Sequence, residues 1–410
     1  MLMRLDNDHL NPIRLIDDFD KLTMDEAMQM HHKLMGYHTV GDRDIVWTRY
    51  VNQMYDMYGD EFLGAVPVEE DETLPVSDDE KLYLLCVAWM LSSSHPRFRA
   101  LLVRKLRKIL SIHTVLMDWL MGLFEDVSDP YVAEGLYCAI CGVGLPLRDK
   151  EIVSPIARRI YQHFYKNGSN VPQDLRIRQW TLKIMERAYY LDGECDGWIK
   201  TLTPFKPQPL DEGRIPDYYK VKADRGYFGL QNGSMLMHNS LFDFEDFNRY
   251  IIGTNNHHSS PNYFVLADDG TYAGVPLTDI MAEMSYYITD VFGWNDKLGY
   301  LDNGKYSLNR SHNDKERIGK KFQWLSWYRV NARLMDVCRV SKEQYYYGDT
   351  AKEEDLTEHP YPWNTSEVSR FDPTLDPMQK YAPEAGLTGT ERLPIAGADD
   401  ENQPDRVFAV

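Results

Sequence analysis

Six amphipathic segments follow one another between Asp78 and Leu191, and this regular succession constrains the fold more than any other feature. Their helical patterns begin near Asp78, Pro96, Ile112, Pro130, Lys150 and Gln173, at intervals of roughly 20 residues. Two of them begin with proline, which the first turn of a helix tolerates. Helices of similar length with short joints pack as antiparallel neighbours. The sequence therefore predicts a mainly α fold with an antiparallel helical-repeat α-solenoid, HEAT- or TPR-like, over residues 78–191. No TPR or ankyrin consensus fixes the repeat class.

The rest of the chain divides around these six segments. Shorter helical patterns cover Met24–Met35 and Ile45–Met57. An acidic, proline-containing stretch precedes Asp78, and a stretch rich in proline and glycine follows Asp192. The predicted order is an N-terminal helical segment with an acidic connector (1–77), the α-solenoid (78–191), an irregular connector (192–242), a smaller, mostly helical C-terminal domain (243–347) and an extended or disordered acidic tail (348–410).

The longest helical pattern runs from Lys315 to Cys338 and predicts the core helix of the C-terminal domain. We expect its apolar face to pack against Leu277–Phe292. The side chains expected to be buried on that face are Phe322, Trp324 or Leu325, and Met335. Lys320 and Lys321 should then lie on the outer face or pair with acidic residues.

Composition narrows the choice of partners. The formal charge is −18 at pH 7, from 45 basic and 63 acidic residues, which disfavours nucleic acid and anionic membranes. The longest apolar runs, such as Leu82–Leu91, are about half as long as the roughly 20 residues of a membrane-spanning helix. The N-terminus is acidic and mixed, unlike a signal peptide. The five cysteines are an odd number and fit reduced thiols. We expect a cytoplasmic protein.

Two short motifs do not carry the chemistry that they suggest. The sequence Gly319-Lys320-Lys321 lacks the upstream glycine and the following Ser or Thr of a phosphate-binding loop, and it lies within a helical pattern. Cys138 and Cys141 have metal-ligand spacing, but they lie in an apolar helical run without a second pair or a nearby histidine. Buried structural cysteines are the better interpretation. We expect no cofactor and no catalytic or metal site.

A rival hypothesis is a metal-dependent hydrolase. Histidines with carboxylates nearby can hold a metal ion. The proposed ligands are His257, His258, Asp268 and Asp269, with Asp243 or Glu245 as a further ligand. Adjacent histidines on a loop seldom converge on one ion without a third ligand at fixed spacing. Stoichiometric zinc or manganese in the purified protein, lost on His257→Ala, would favour this hypothesis.

Two basic surfaces stand out on the acidic chain. The second solenoid helix carries Arg97, Arg99, Arg104, Lys105, Arg107 and Lys108, and the start of the long C-terminal helix carries Lys315, Arg317, Lys320 and Lys321. The candidates for partner binding are Arg97, Arg104, Arg107, Lys108, Lys315, Arg317, Lys320 and Lys321. Each surface can contact an acidic partner or pair with the acidic residues of the same chain, and the sequence leaves both alternatives open.

Several stretches, in matching order, resemble the C-terminal sensor region of the Avs (AVAST) antiviral STAND ATPases. They are WMLSSSHPRFR (89–99) with KLRKIL (105–110), DPYVAEGLY (129–137) with GVG (142–144), RQWTLKIMERA (178–188), KERIGKKFQW (315–324) with ARLMD (332–336), PW (362–363) and RFDP (370–373). The resemblance covers about residues 78–373, and no single motif in it is decisive.

In the Avs family an N-terminal effector and a P-loop ATPase precede helical repeats that bind a phage protein such as terminase or portal. The chain shows no counterpart of the first two parts. The resemblance therefore implies a sensor or scaffold module without chemistry of its own, in bacterial antiphage defence. It would bind a folded phage protein. Three alternatives stay open: an excised sensor region, one chain of a split system with effector or ATPase parts on another chain, or a free-standing relative with a different task.

Overall fold

The computed structural model describes residues 23–58, 75–166, 171–192, 263–305, 316–341 and 350–358, together with 215–217, 219, 237, 241 and 247. Within these residues the chain is mainly helical. No helix among them is long and apolar enough to cross a membrane.

The N-terminal residues form α1 (Met24–Met35), α2 (Val40–Val46) and α3 (Thr48–Tyr58). Thr23 begins α1 with a capping box to Glu26. The pattern predicted over Ile45–Met57 falls into two helices, because the chain leaves helical geometry at Trp47. The Trp47 side chain is buried, and its indole Nε1 donates to the Trp89 carbonyl oxygen at 3.0 Å. This residue ties the N-terminal helices to the next part of the chain.

Six helices follow, as the sequence predicts: α4 (Asp78–Met90), α5 (Pro96–Ile112), α6 (Val115–Phe124), α7 (Pro130–Gly144), α8 (Lys150–Ile160) and α9 (Leu175–Asp192). A π-helical turn, Tyr161–Tyr165, continues α8. Ser77 forms a capping box with Glu80, and Asp129 and Asp149 cap α7 and α8. No strand occurs in 75–166 or 171–192. We call α4–α9 the helical array.

Packing within the helical array follows a simple order. Consecutive helices contact each other in α4–α5, α5–α6, α6–α7 and α8–α9. Helices two apart also contact, α5 against α7 and α7 against α9, and α4 contacts α7. Buried residues from Ala27 to Ala188 form one hydrophobic cluster through the array and the helices before it. The array thus presents α5, α7 and α9 side by side.

His31 is buried on α1, and we expect it to lower the free energy of unfolding in acid. The Trp89 indole donates to its Nδ1 at 3.1 Å, and burial lowers the pKa of His31 to about 4. The unfolded chain binds this proton near pH 6.5, so stability is lost as pH falls from about 6.5 to 4, by up to ~3 kcal/mol. His31→Asn, whose amide oxygen stands at the position of Nδ1 and can accept the same bond, should flatten urea-unfolding free energies across that window. The exposed His38→Asn should leave the profile unchanged; an unchanged profile in His31→Asn would contradict the assignment.

The described residues between 263 and 358 (263–305, 316–341 and 350–358) form a second body, which we call the C-terminal unit. Its elements are β1 (Tyr263–Leu266), β2 (Tyr272–Gly274), α10 (Leu277–Tyr286) with a π-helical turn (Tyr287–Val291), α11 (Asp296–Lys305), α12 (Ile318–Val337), β3 (Arg339–Ser341), β4 (Thr350–Ala351), a 3-10 turn (Glu353–Asp355) and β5 (Leu356–Glu358). The long helix α12 packs against α10, as predicted, and also against α11. Phe322 and Leu325 are fully buried, whereas Trp324 is half-buried. The side chain of Met335 lies outside the described residues.

Leu325→Ala should lower the free energy of unfolding by about 2–5 kcal/mol, because it empties a fully buried site in α12. Chemical denaturation measures this loss. The matched control is Leu266→Ala, because Leu266 is 58% exposed on β1 of the same unit, and it should change stability by no more than ~0.5 kcal/mol. Equal effects of the two substitutions would show that the buried face of α12 is assigned wrongly.

The C-terminal unit contains a five-stranded antiparallel sheet in the order β4-β2-β1-β3-β5. The expectation of an extended or disordered tail from residue 348 is therefore wrong for residues 350–358, which form both edge strands. These residues are ordered by pairing with β2 and β3, which are distant in sequence. The local composition does not predict such pairing. The predicted tail beyond residue 358 lies outside the described residues.

The sheet must curl strongly. Its two edge strands, β4 and β5, are joined only by residues 352–355, which include the 3-10 turn. In a flat sheet these edges would lie about 19 Å apart, whereas the short link reaches about 14 Å. Phe264 of the central strand packs with Ala351 and Leu356 from the two edges. The sheet therefore closes around Phe264.

Candidate protein-binding surfaces

The outer face of α5 carries a line of cations. Arg97, Arg104 and Lys108 are seven and four residues apart, a spacing that places them on one face of a helix over about 16 Å. Arg97 and Lys108 are exposed, and Arg104 is half-buried. We call these three residues the basic stripe.

Two other cations of α5, Arg107 and Arg99, turn away from this stripe. Arg107 packs its aliphatic stem on α7, where a Cβ added to Gly142 would lie 2.9 Å from Arg107 Cδ. Burial lowers the pKa of Arg107. The guanidinium of Arg99 lies 3.6 Å from the centre of the Tyr131 ring, also on α7. Arg107 and Arg99 therefore contribute to packing between α5 and α7, and Arg107 is a weaker candidate for partner contact than the stripe.

The second predicted basic surface, at the start of α12, does not form an exposed patch. Lys315 lies outside the described residues. Arg317 pairs with Asp302 of α11 at 2.6 Å, and Lys320 pairs with Glu316 at 3.6 Å. Lys321, predicted to contact a partner, is completely buried. The assignment of Lys321 to partner contact was wrong, because α12 begins against α2, α7 and α11. The other alternative that the sequence left open, pairing with acidic residues of the same chain, is the one that the structure shows for Arg317, Lys320 and Lys321.

Lys321 lies at the centre of a buried group of charges. Its Nζ is 2.9 Å from Asp44 Oδ1 of α2 and 2.9 Å from Asp129 Oδ2, just before α7. Arg43 Nη1 lies 3.5 Å from the same Asp129 oxygen. All four side chains are fully buried. We call Arg43, Asp44, Asp129 and Lys321 the charge cluster; its two cations and two anions cancel.

Each carboxylate of the charge cluster has a second role. Asp129 Oδ1 accepts from the Tyr131 backbone N–H at 3.0 Å and so caps α7. Asp44 Oδ1 accepts from the Thr48 hydroxyl at 2.6 Å. Burial raises the pKa of Asp44 to about 6, against the opposing effect of Lys321. The cap at Asp129-Pro130 is visible in the sequence, but nothing local to Lys321 indicates that a lysine from α12 reaches it.

Polar contacts continue along α12 from end to end. Before the helix, the Glu316 carbonyl accepts from Ser94 Oγ at 2.8 Å. Further along, Tyr328 Oη accepts from Arg176 at 3.4 Å, and Asp336 Oδ1 lies 2.6 Å from Arg178 Nη1. Together with Lys321–Asp129, these contacts run from the turn before α5 to the starts of α7 and α9. We call this row of contacts the seam.

A serine, a histidine and an aspartate meet at the first contact of the seam, but their geometry is structural. His95 Nδ1 accepts from the Glu316 backbone N–H at 3.0 Å, and its Nε2 lies 3.7 Å from Asp56 Oδ1. The neighbouring hydroxyls of Ser93 and Ser94 donate to Asn52 Oδ1 and to the Glu316 carbonyl. The imidazole accepts from a backbone N–H where a nucleophile's proton would have to go, so this group joins segments and has no general-base geometry.

The rival metal site is only partly within the described residues. Asp268 and Asp269 are exposed in the turn between β1 and β2, where Gly270 adopts φ +82°. Asp269 Oδ1 accepts from both the hydroxyl (2.6 Å) and the backbone N–H (2.9 Å) of Thr271, and these bonds lower the pKa of Asp269. The other proposed ligands, His257, His258, Asp243 and Glu245, lie outside the described part. In that part no group of three His, Cys, Asp or Glu side chains is placed to hold a metal ion.

Gly319 of the Gly-Lys-Lys motif and the pair Cys138 and Cys141 have structural roles. Gly319 donates its backbone N–H to Asp302 Oδ1 at 2.8 Å, and a Cβ there would lie 2.5 Å from Asp302 Oδ2. Cys141 is buried and Cys138 half-buried, both as free thiols, and burial raises the pKa of Cys138 well above its usual value. Gly319 is thus needed for the contact between α11 and α12.

Comparison with protein-family models, with curated proteins and with solved structures gives no match.

Proposed function

We propose that this chain is a non-catalytic protein-recognition module, a sensor or scaffold, that binds a folded acidic partner through the basic stripe of α5. The observation that carries the proposal is the alignment of Arg97, Arg104 and Lys108 on one outer face of the helical array, in a chain of net charge −18. A cationic line on an acidic body favours one orientation of an acidic partner and repels other approaches.

The packing order of the array supports a recognition scaffold. We propose that α4–α9 is a HEAT- or TPR-like α-solenoid, built from the pairs α4–α5, α6–α7 and α8–α9. In such arrays each pair contacts its neighbours along one direction and leaves long surfaces for partners. The contacts of α5 with α7 and of α7 with α9 follow that pattern.

The resemblance to Avs sensor regions supplies the class of partner. We propose that the partner is a phage packaging or structural protein, terminase- or portal-like, met in the bacterial cytoplasm during antiphage defence. Effector or ATPase parts on another chain are a further class of partner under this proposal. The described residues support recognition more than hydrolysis, because Asp269 is engaged by Thr271 in a hairpin turn.

A capture experiment against purified phage terminase and portal proteins tests the proposal. The full chain should retain one of them, and Arg97→Glu/Arg104→Glu/Lys108→Glu should slow association by about tenfold or more. The effect should shrink as salt is added, because surface charges are screened. The measurement is the association rate at two ionic strengths.

A matched variant carries the same change of charge elsewhere on the array. Arg148→Glu/Lys150→Glu/Arg158→Glu alters three exposed cations at and near α8 and should leave association nearly unchanged. The proposal fails if the panel yields no partner. It also fails if the stripe variant binds normally but melts earlier, since the stripe would then serve intramolecular pairing.

A further inference from the structure

The two largest hydrophobic clusters of the described residues meet across polar contacts. The first takes its residues from Ala27 to Ala188. The second extends from Met237 to Cys338, and among its described, buried members only Val40 and Tyr131 come from the earlier part of the chain. The helical array and the C-terminal unit therefore each have their own apolar core, and the seam lies between them.

The seam follows one face of α12. Lys321, Tyr328, Ala332 and Asp336 are seven, four and four residues apart, so they share a face of the helix. That face meets Asp129, Arg176 and Arg178 at the starts of α7 and α9. From Glu316 to Asp336 the contacts cover about 30 Å, the length of the helix. The apolar face, with Phe322 and Leu325, belongs to the second cluster.

Contacts of this kind add little net stability. A buried ion pair regains in Coulomb attraction roughly what its charges lose in hydration. In the charge cluster, Arg43 Nη1 and Asp44 Oδ2 are buried and make no hydrogen bond within the described structure. Separation of the two bodies would return water to these polar atoms and would uncover few buried apolar side chains, since only Val40 and Tyr131 among the described, buried members of the second cluster come from the earlier part of the chain. Polar interfaces between domains are the ones that open readily.

We propose that the array face along the starts of α7 and α9 is a helix-binding surface, and that α12 of the same chain is its reversible occupant. The helix that this surface accepts carries a cation opposite Asp129 and, about 15 residues later, an anion opposite Arg178. A partner helix of that chemistry competes with α12 and releases the C-terminal unit. This surface is distinct from the basic stripe and does not rest on it.

Thiol labelling of the full chain measures the release directly. Ala332→Cys places a thiol, the reporter thiol, on the seam face of α12 at a fully buried position. The native Cys86 and Cys338 are internal standards, because they are buried in the first and second clusters. The reporter thiol should react with N-ethylmaleimide about tenfold faster than either standard, a ratio that corresponds to about 1.4 kcal/mol. Fraying of α12 from its end would instead label Cys338 first.

A paired substitution identifies the seam as the cause. Asp336→Asn removes the charge opposite Arg178 and should raise the labelling rate of the reporter thiol about tenfold further, with both standards unchanged. Asp118→Asn breaks an ion pair of similar length (2.8 Å, to Arg159) inside the array and should leave the reporter rate unchanged. One common rate for all three thiols, in both backgrounds, would overturn reversible docking. If Ala332→Cys does not fold, Ser94→Cys reports from the array side.

A peptide in trans tests the surface itself. Excess peptide of residues 316–338 should accelerate labelling of the reporter thiol, because it competes for the array face. The same peptide with Lys321→Glu and Asp336→Lys, which reverses both charges, should have no effect. Acceleration by neither peptide, or by both equally, would overturn recognition of a helix by charge order.

Discussion

Lys321→Met should lower the free energy of unfolding by about 3–5 kcal/mol, as measured by chemical denaturation. The substitution keeps most of the side-chain volume but removes the cation that lies 2.9 Å from both Asp44 and Asp129. Two carboxylates would then remain fully buried with only Arg43 nearby, at 3.5 Å from Asp129. Removing one partner of a buried ion pair is strongly destabilising because it leaves an uncompensated charge.

The neighbouring lysine provides the control. Lys320 is partly exposed and pairs with Glu316 at four residues' distance, so Lys320→Met should change stability by less than ~1 kcal/mol. Adding Asp44→Asn to Lys321→Met should restore about 1 kcal/mol or more, because it removes one of the stranded charges. Equal, small effects of the two lysine substitutions would show that the charge cluster is not a buried unit.

Gly41→Ala and Gly293→Ala should each lower the free energy of unfolding by about 3 kcal/mol or more. The Gly41 N–H donates to the Phe292 carbonyl at 2.7 Å, so α2 touches the backbone of the C-terminal unit. A Cβ on Gly41 would lie 2.1 Å from the Gly293 carbonyl oxygen, which cannot rotate away as a side chain can. Gly293 adopts φ +77°, and its Cβ would lie 2.3 Å from Thr39 Oγ1. Overpacking and a left-handed backbone both disfavour alanine.

Gly144→Ala is the control that distinguishes the loss of this contact from the general effect of replacing a glycine. Gly144 ends α7, and a Cβ there would meet no atom within 4 Å. Alanine is the better helix former, so this variant should be neutral or slightly stabilised. If Gly41→Ala and Gly293→Ala behave like Gly144→Ala in thermal and chemical unfolding, the close approach of α2 to the C-terminal unit is wrong.

Features that depend on local sequence were predictable. The starts of α4, α5, α7 and α8 fall at the predicted residues, because capping residues or proline stand there. The long periodic segment became α12, with Phe322 and Leu325 buried as expected. Helix formation depends on residues three or four positions apart, so the periodicity of the sequence predicts it.

Features that depend on distant pairing were not predictable. The strands β4 and β5 have two and three residues, too short for an alternating pattern to be recognised. Lys321 and Lys320 are adjacent and chemically identical, yet Lys321 is buried and Lys320 is partly exposed. That difference follows from the position of α12 against α2 and α7, which one sequence does not encode in any local pattern.

The sequence identified the members of the basic stripe but added one residue that does not belong to it. The spacing of Arg97, Arg104 and Lys108 shows that they share a face of α5, but Arg107 was included although it packs on Gly142. Which face of a helix is covered depends on its neighbours. The candidate surface at the start of α12 failed for the same reason.

Hydrogen–deuterium exchange on the complex with the captured terminase or portal protein tests the central claim most directly. The account predicts slower exchange in peptides from Pro96–Ile112, with Lys150–Ile160 unchanged, and loss of this protection in Arg97→Glu/Arg104→Glu/Lys108→Glu. Protection confined to other helices, or retained in the stripe variant, would contradict recognition through the basic stripe of α5.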